Sequence, residues 1–184
     1  HGGGLVRLDA TGTITLDGTV SASGGAGTVS ANDSSGGGAG GSIYVTTTGS
    51  LAGTTASISA KGGNVSDAPV GDSGGGGGGR IALVYGALSL SLSASSFDVS
   101  GGIGPGTATD GGLGTVYTVN TNGGSAPTTD DAVTIYHGFT YADTDFNVAS
   151  WTIDASATNQ YCDTALTTAA TPSVTASSAI TFRA

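Results

Sequence analysis

The chain has no glutamate, no methionine, a single lysine and one cysteine among 184 residues. Each shortage excludes something. Glu, Met and Lys are good helix formers, and a chain that replaces them with Gly, Ser and Thr cannot sustain helical bundles or α/β layers. Lys and Arg together number 4 against 13 acidic residues, all of them Asp, for a net charge of −9. Nucleic acid and anionic membrane surfaces need clustered cations, so both are excluded as electrostatic partners. Charged residues are 9% of the chain, against roughly 25% in an ordinary soluble domain. Low charge can accompany disorder, but 4 prolines and 37% apolar residues in ordered alternation argue for a folded chain. No apolar run approaches the roughly 18 residues of a membrane span. With Cys162 alone, no intramolecular disulfide can form, and the residue reads as a small buried side chain or an intermolecular thiol. The chain opens at His1 inside a Gly-rich motif, which predicts a processed or excised product.

Glycine is abundant instead, at 35 residues, and it is organised by a repeat. Gly41-Ser42-Ile43-Tyr44-Val45, Gly79-Arg80-Ile81-Ala82-Leu83 and Gly114-Thr115-Val116-Tyr117-Thr118 share one pattern, and Gly4-Leu5-Val6-Arg7-Leu8 opens the chain with it. Val6, Ile43, Ile81 and Val116 are 37, 38 and 35 residues apart. A second marker runs in step: Val20, Ile58 and Phe97, at spacings of 38 and 39, each lead into a Gly-Gly pair. Two markers with one period establish a repeat of about 38 residues. Apolar residues within the units alternate with Ser and Thr, as at Ile14 and Leu16 or Leu88, Leu90 and Leu92, which predicts strands with one apolar face. One unit cannot bury that face alone, whereas stacked copies share a core. The fold expected is all-β: a parallel β-solenoid over residues 1–124, with Val6, Ile43, Ile81 and Val116 in one interior ladder. Its oligoglycine runs are either further rungs or polyproline-II-like helices.

From about Ser125 the Gly repeat stops and aromatics and Asp concentrate. Strands are expected over Ala132–His137, Phe146–Asp154 and Ala179–Arg183, and residues 125–184 read as a C-terminal β-module or cap.

The segments GGGAGGSIYV, GGGGGGRIALVY and DGGLGTVYTV, each preceded by an S-A-x-G-G or D-V-S-G-G turn, resemble the Gly-rich β-helix repeats of very large secreted bacterial surface proteins. The resemblance covers residues 1 to about 120. It implies an extracellular or cell-surface setting and an adhesin-like or structural role, and it transfers no catalytic residue.

Motifs for chemistry are sparse. Gly71-Asp72-Ser73-Gly74-Gly75 copies a serine-protease nucleophile motif, yet the only earlier His is His1, and His137 lacks supporting context. Lys61 is followed by Gly62, not Ser or Thr, so no phosphate loop exists. Asp143 and Asp145, with Asp130 and Asp131, are the carboxylates best placed in turns to bind calcium; no other cofactor is implied. Asn32 and Asn64 begin glycosylation sequons. Asp98 and Asp110, in adjacent loops, are the carboxylates that a polysaccharide-degrading β-helix enzyme would pair. Thr46-Thr47-Thr48 is a hydroxyl patch that does not recur in the other repeats.

The expected role is therefore non-enzymatic: a self-assembling extracellular filament or surface-fibre subunit joined head-to-tail by β-strand contacts. Val174, Ala176, Ile180 and Phe182, alternating with polar residues, form the expected assembly strand. The alternatives are an adhesin-like carbohydrate- or surface-binding module and, third, the polysaccharide-degrading enzyme.

Overall fold

The computed structural model describes residues 1–30, 33–66, 73–92 and 94–121, and strand segments at 132–137, 147–148, 150–153, 161–162, 167–168 and 181–182. The strands are β1 (Leu5–Ala10), β2 (Ile14–Thr15), β3 (Gly18–Ser21), β4 (Val29–Ser30), β5 (Asp33–Ser34), β6 (Ser42–Ala52), β7 (Ala56–Ser59), β8 (Arg80–Ser89), β9 (Phe97–Asp98) and β10 (Thr115–Asn120). They continue with β11 (Ala132–His137), β12 (Asn147–Val148), β13 (Ser150–Ile153), β14 (Tyr161–Cys162), β15 (Thr167–Thr168) and β16 (Thr181–Phe182). A 3-10 turn at Ala94–Ser96 is the only helical element among the described residues. The protein is mostly β, with parallel sheets, as the missing helix formers require.

The main sheet runs β1-β6-β8-β10-β11-β13, with β2 also on β6; its pairs are parallel except β10 with β11. Val6 faces Ile43, Ile43 faces Ile81, and Ile81 faces Val116. That is the ladder the spacing predicts, and Ile43, Ile81 and Val116 are 1%, 0% and 0% exposed. One step along, Leu8, Val45, Leu83 and Thr118 form a second inward row. A smaller parallel sheet, β3-β7-β9, stacks Val20 on Ile58 and Ile58 on Phe97. The apolar core collects side chains from both sheets, including Ile43, Leu51, Ile58, Leu83 and Phe97.

One periodicity reading is corrected. Leu88, Leu90 and Leu92 do not share a strand face: β8 ends at Ser89, Leu88 is 39% exposed, and Leu90 is 3% exposed. The chain turns after Ser89, so alternation in sequence is no longer alternation across a sheet.

Extended glycine-rich segments continue both sheets. Residues 1–4, 35–41, 73–79 and 109–114 lead into β1, β6, β8 and β10; residues 22–28, 60–66 and 99–105 follow β3, β7 and β9. Their hydrogen bonds repeat every third residue. Gly37 and Gly40 donate to the carbonyls of Gly74 and Gly77, and Gly75 and Gly78 to Thr109 and Gly112. In the other layer Gly24 and Gly27 donate to Lys61 and Asn64, and Gly62 and Val65 to Ser100 and Ile103. A second set of donors crosses between layers: Gly38 to Gly25, Gly63 to Gly38, Gly76 to Gly63, Gly102 to Gly76 and Gly111 to Gly102, at 2.7–3.0 Å. A three-residue step is the signature of a polyproline-II-like extended helix, not of a strand, whose period is two.

This packing explains the glycines. A Cβ on Gly37, Gly38, Gly40, Gly75, Gly76 or Gly78 would lie 1.9–2.0 Å from a carbonyl oxygen of a neighbouring segment. The third position of each turn faces away: a Cβ on Gly36 or Gly77 would meet nothing closer than 3.6 Å or 4.0 Å. The outward positions are also where other residues appear, Ala39 and Thr109 in one layer and Lys61, Asn64, Ser100 and Ile103 in the other. The two sheets enclose side chains, whereas the glycine layers close on each other chiefly through backbone, with Val65 as a buried side chain among them.

At the C-terminal end of this stack, β11 covers β10 antiparallel, with Val119 facing Val133. The expected strand at 132–137 matches β11; the expected strand at 146–154 is represented by β12 and β13, and that at 179–183 by β16. β12 pairs with β15, and β14 with β16. The expected boundary at residues 122–124 lies outside the described residues.

Candidate functional site

The chemistry-bearing side chains are tied to the scaffold. Ser73, the nucleophile of the protease-like motif, donates its hydroxyl to the Ser34 carbonyl at 2.7 Å; Gly71 and Asp72 lie outside the described residues. His137 sits on β11 in register with Val116. Asp98 accepts from the Ser100 amide and hydroxyl at 3.0 Å and 2.6 Å, at the exit of β9. Asp110 accepts from the Gly104 amide at 2.8 Å. Each of these two carboxylates therefore caps a local backbone amide. A hydrolytic pair would need them to face a common groove.

The Thr46–Thr48 hydroxyls are divided. Thr47 is buried, donates to the Gly12 carbonyl and accepts from the Gly49 amide at 3.0 Å, while Thr48 donates to Thr11 at 3.1 Å. They hold the irregularity that the β6–β8 register shows between Thr47 and Ser50. Tyr85, also buried, donates to Thr118 Oγ1 at 3.4 Å, and burial pushes its phenol above the ordinary range.

On the outward face of the main sheet, Arg7, Tyr44, Ala82 and Tyr117 are in register. Arg7 pairs with Asp9 at 2.6 Å and lies 5.7 Å from the centre of the Tyr44 ring. Burial raises the Tyr117 phenol. At the turn between the sheets, Asp17 accepts from the Thr54 amide at 2.7 Å and hydroxyl at 3.0 Å, bonds that hold its carboxyl below the usual range. Gly53 precedes that turn with φ 144°, a backbone angle that side-chain-bearing residues rarely adopt.

Of the predicted sites, Asn64 is exposed, and its Oδ1 accepts from the Ile103 amide at 2.9 Å. Asn32, Asp130, Asp131, Asp143 and Asp145 lie outside the described residues, as do Val174, Ala176 and Ile180. Phe182 is in β16, in register with Cys162 of the same chain. Among the described residues no group of three His, Cys, Asp or Glu side chains is placed to hold a metal. Among the described residues no helix is long and apolar enough to cross a membrane.

Sequence reasoning missed Asp17 and read Thr47 only as part of a hydroxyl patch, because a Thr or Asp that satisfies a turn in the neighbouring repeat has no local pattern. It also placed Val6 in the interior ladder on equal terms with Ile43, Ile81 and Val116. Val6, Leu8, Ile14 and Val20 are only partly buried, although their partners in the next repeat are core residues. No family model, no curated protein and no solved structure matches the chain.

Proposed function

We propose that the chain is a non-enzymatic structural protein of the extracellular space or cell surface, built as a parallel β-solenoid of about 38-residue Gly-rich coils with a small C-terminal β-module. On this reading it belongs with the Gly-rich β-helix repeats of large secreted bacterial surface proteins that its motifs resemble. It assembles with itself into a filament or fibre through β-strand contacts, with residues 174–184 as the contributed strand. The observation that carries the structural role is the glycine bilayer. Backbone-to-backbone packing between the glycine segments leaves no room for a side chain at Gly3, Gly24, Gly37, Gly38, Gly40, Gly62, Gly63, Gly75, Gly76, Gly78, Gly101, Gly102 or Gly111. A surface built this way provides stiffness and shape, not reactive groups. Ser73 instead donates to the Ser34 carbonyl, and Asp98 and Asp110 accept from nearby backbone amides. Negative-stain microscopy of native material tests the proposal: fibres support it, and monodisperse particles at all concentrations refute the assembly part.

One observation favours a second reading, an adhesin-like carbohydrate-binding module. Tyr44 and Tyr117 flank Ala82 on the outward face, and aromatic rings on either side of a small residue can receive the apolar face of a sugar. Retardation on polysaccharide-containing gels, abolished by Tyr44→Ala, would favour it over the fibre.

A further inference from the structure

Arg7 and Arg80, two of the chain's 4 Lys and Arg residues, both stand on the outward face of the main sheet. Arg7 shares its row with Tyr44, Ala82 and Tyr117, and the adjacent row carries Ser42, Arg80 and Thr115. The two cations are not equivalent. Arg7 pairs with Asp9 at 2.6 Å and lies 5.7 Å from the centre of the Tyr44 ring, a cation–π contact that orients the ring. Arg80 is exposed, and among the described residues no carboxylate pairs with it.

Tyr44 and Tyr117 are two strands apart, about 10 Å between backbones, with only the Ala82 methyl between them in the row. Two rings on either side of a methyl group make a shallow trough. Burial raises the Tyr117 phenol, Tyr44 adds to the rise and Arg80 opposes it, so both lie within electrostatic reach of Tyr117. On one side of the trough the next outward row is closed, with Val84 and Val119 only 8% and 2% exposed. On the other side Arg80 stands between Ser42 and Thr115. A sugar ring needs an aromatic wall for its C–H face and polar partners for its hydroxyls, and a planar carboxylate matches the guanidinium fork. This face supplies all three side by side.

We infer that this face binds a polysaccharide of uronic-acid sugars, one ring lying over Ala82 between Tyr44 and Tyr117 with its carboxylate on the Arg80 guanidinium. Charge selects the occupant. Arg80 offers a cation that a neutral sugar would leave unused, and among the described residues the one carboxylate on this face, Asp9, is already paired with Arg7. The net charge of −9 does not oppose this, because a single carboxylate is recognised at a single site. Carboxylates elsewhere on the surface are screened beyond about 8 Å at physiological salt. The inference rests on the carbohydrate-binding reading and names its sugar class.

Titration calorimetry of the full chain against polygalacturonate, its methyl ester and poly-aspartate tests this. Polygalacturonate binds, and the ester, which keeps the ring and loses the charge, binds about tenfold more weakly, the share of one charge-assisted bond. Arg80→Gln loses the same factor and Tyr44→Ala abolishes binding, each with the parent's circular dichroism; the comparison of polymers needs no variant. Equal affinity for acid and ester, or parent-like binding by Arg80→Gln, overturns the uronate inference and leaves the carbohydrate reading standing. Parent-like binding by Tyr44→Ala overturns both. Poly-aspartate bound as tightly as polygalacturonate overturns the inference in favour of an acidic peptide. Binding to none of the three overturns it as well; retardation on neutral polysaccharide gels would then keep the carbohydrate reading, and its absence would sink that too.

Discussion

A methyl group at Gly76 should be ruinous, and one at Gly77, the next residue, harmless. A Cβ on Gly76 would sit 2.0 Å from the Gly38 carbonyl oxygen and 2.5 Å from its carbon. Carbon–oxygen contacts settle near 3.3 Å or more, so the two glycine layers must separate locally by more than about 1 Å. That opening stretches the bonds Gly76 to Gly63, Gly102 to Gly76 and Gly63 to Gly38, now 3.0, 2.7 and 2.8 Å. Each is worth roughly 0.5–1.5 kcal/mol net, and more if its groups are left buried without partners. Gly76→Ala therefore costs about 3 kcal/mol, a large share of the roughly 5–15 kcal/mol that holds a domain folded. At Gly77 the nearest atom to a new Cβ is 4.0 Å away, and φ lies outside the left-handed region. Ala there restricts only the unfolded chain and stabilises by about 0.4–1 kcal/mol. Urea unfolding of the two variants beside the parent reads the difference directly. Equal midpoints for Gly76→Ala and Gly77→Ala would refute the bilayer.

Ile81→Ala, at the centre of the interior ladder, should lose about 2–5 kcal/mol, while Leu5→Ala at an exposed position of β1 should change the urea midpoint little; a comparable loss at both would place Ile81 outside the core. Asp17 has a depressed pKa when folded, so its contribution is fully present above the unfolded carboxylate value near 3.9 and disappears as pH falls through the lower folded value. The stability gap between parent and Asp17→Asn should accordingly be flat above about pH 5 and shrink in acid, and a gap that widens there contradicts the Thr54 bonds. Ser73→Ala should cost about 1 kcal/mol through the lost bond to Ser34 and leave turnover of a fluorogenic ester at the parent's level; loss of a parent activity would revive the nucleophile.

The side-chain half of this architecture was legible and the backbone half was not. Val6, Ile43, Ile81 and Val116, and likewise Val20, Ile58 and Phe97, stand in sequence at the spacing at which they stack in space. Their side chains record which face is buried. Glycine has no side chain to record a period, so the run 74–79 was compatible with either two- or three-residue geometry. A trace of the answer lay in the exceptions. Ser23 and Ala26, Lys61 and Asn64, and Ser100 and Ile103 each bracket a Gly-Gly pair at a spacing of three, which marks the outward position of a three-residue turn. Leu88 to Leu92 shows the converse failure, where period two in sequence crossed a turn. Asp98 and Asp110 were read as a candidate pair because proximity in the repeat was visible, while their backbone partners at Ser100 and Gly104 were not.

Residue-resolved amide exchange across the segments 35–41 and 73–79 is the most direct test of the glycine bilayer. The structure predicts a beat of three: Gly37, Gly38, Gly40 and Gly41, and then Gly75, Gly76, Gly78 and Gly79, donate to carbonyls and exchange slowly. Gly36, Ala39, Gly74 and Gly77 face outward and exchange fast. A beat of two would mean that these runs are β-strands, and uniformly fast exchange would mean that the layers do not pack; either result contradicts the account.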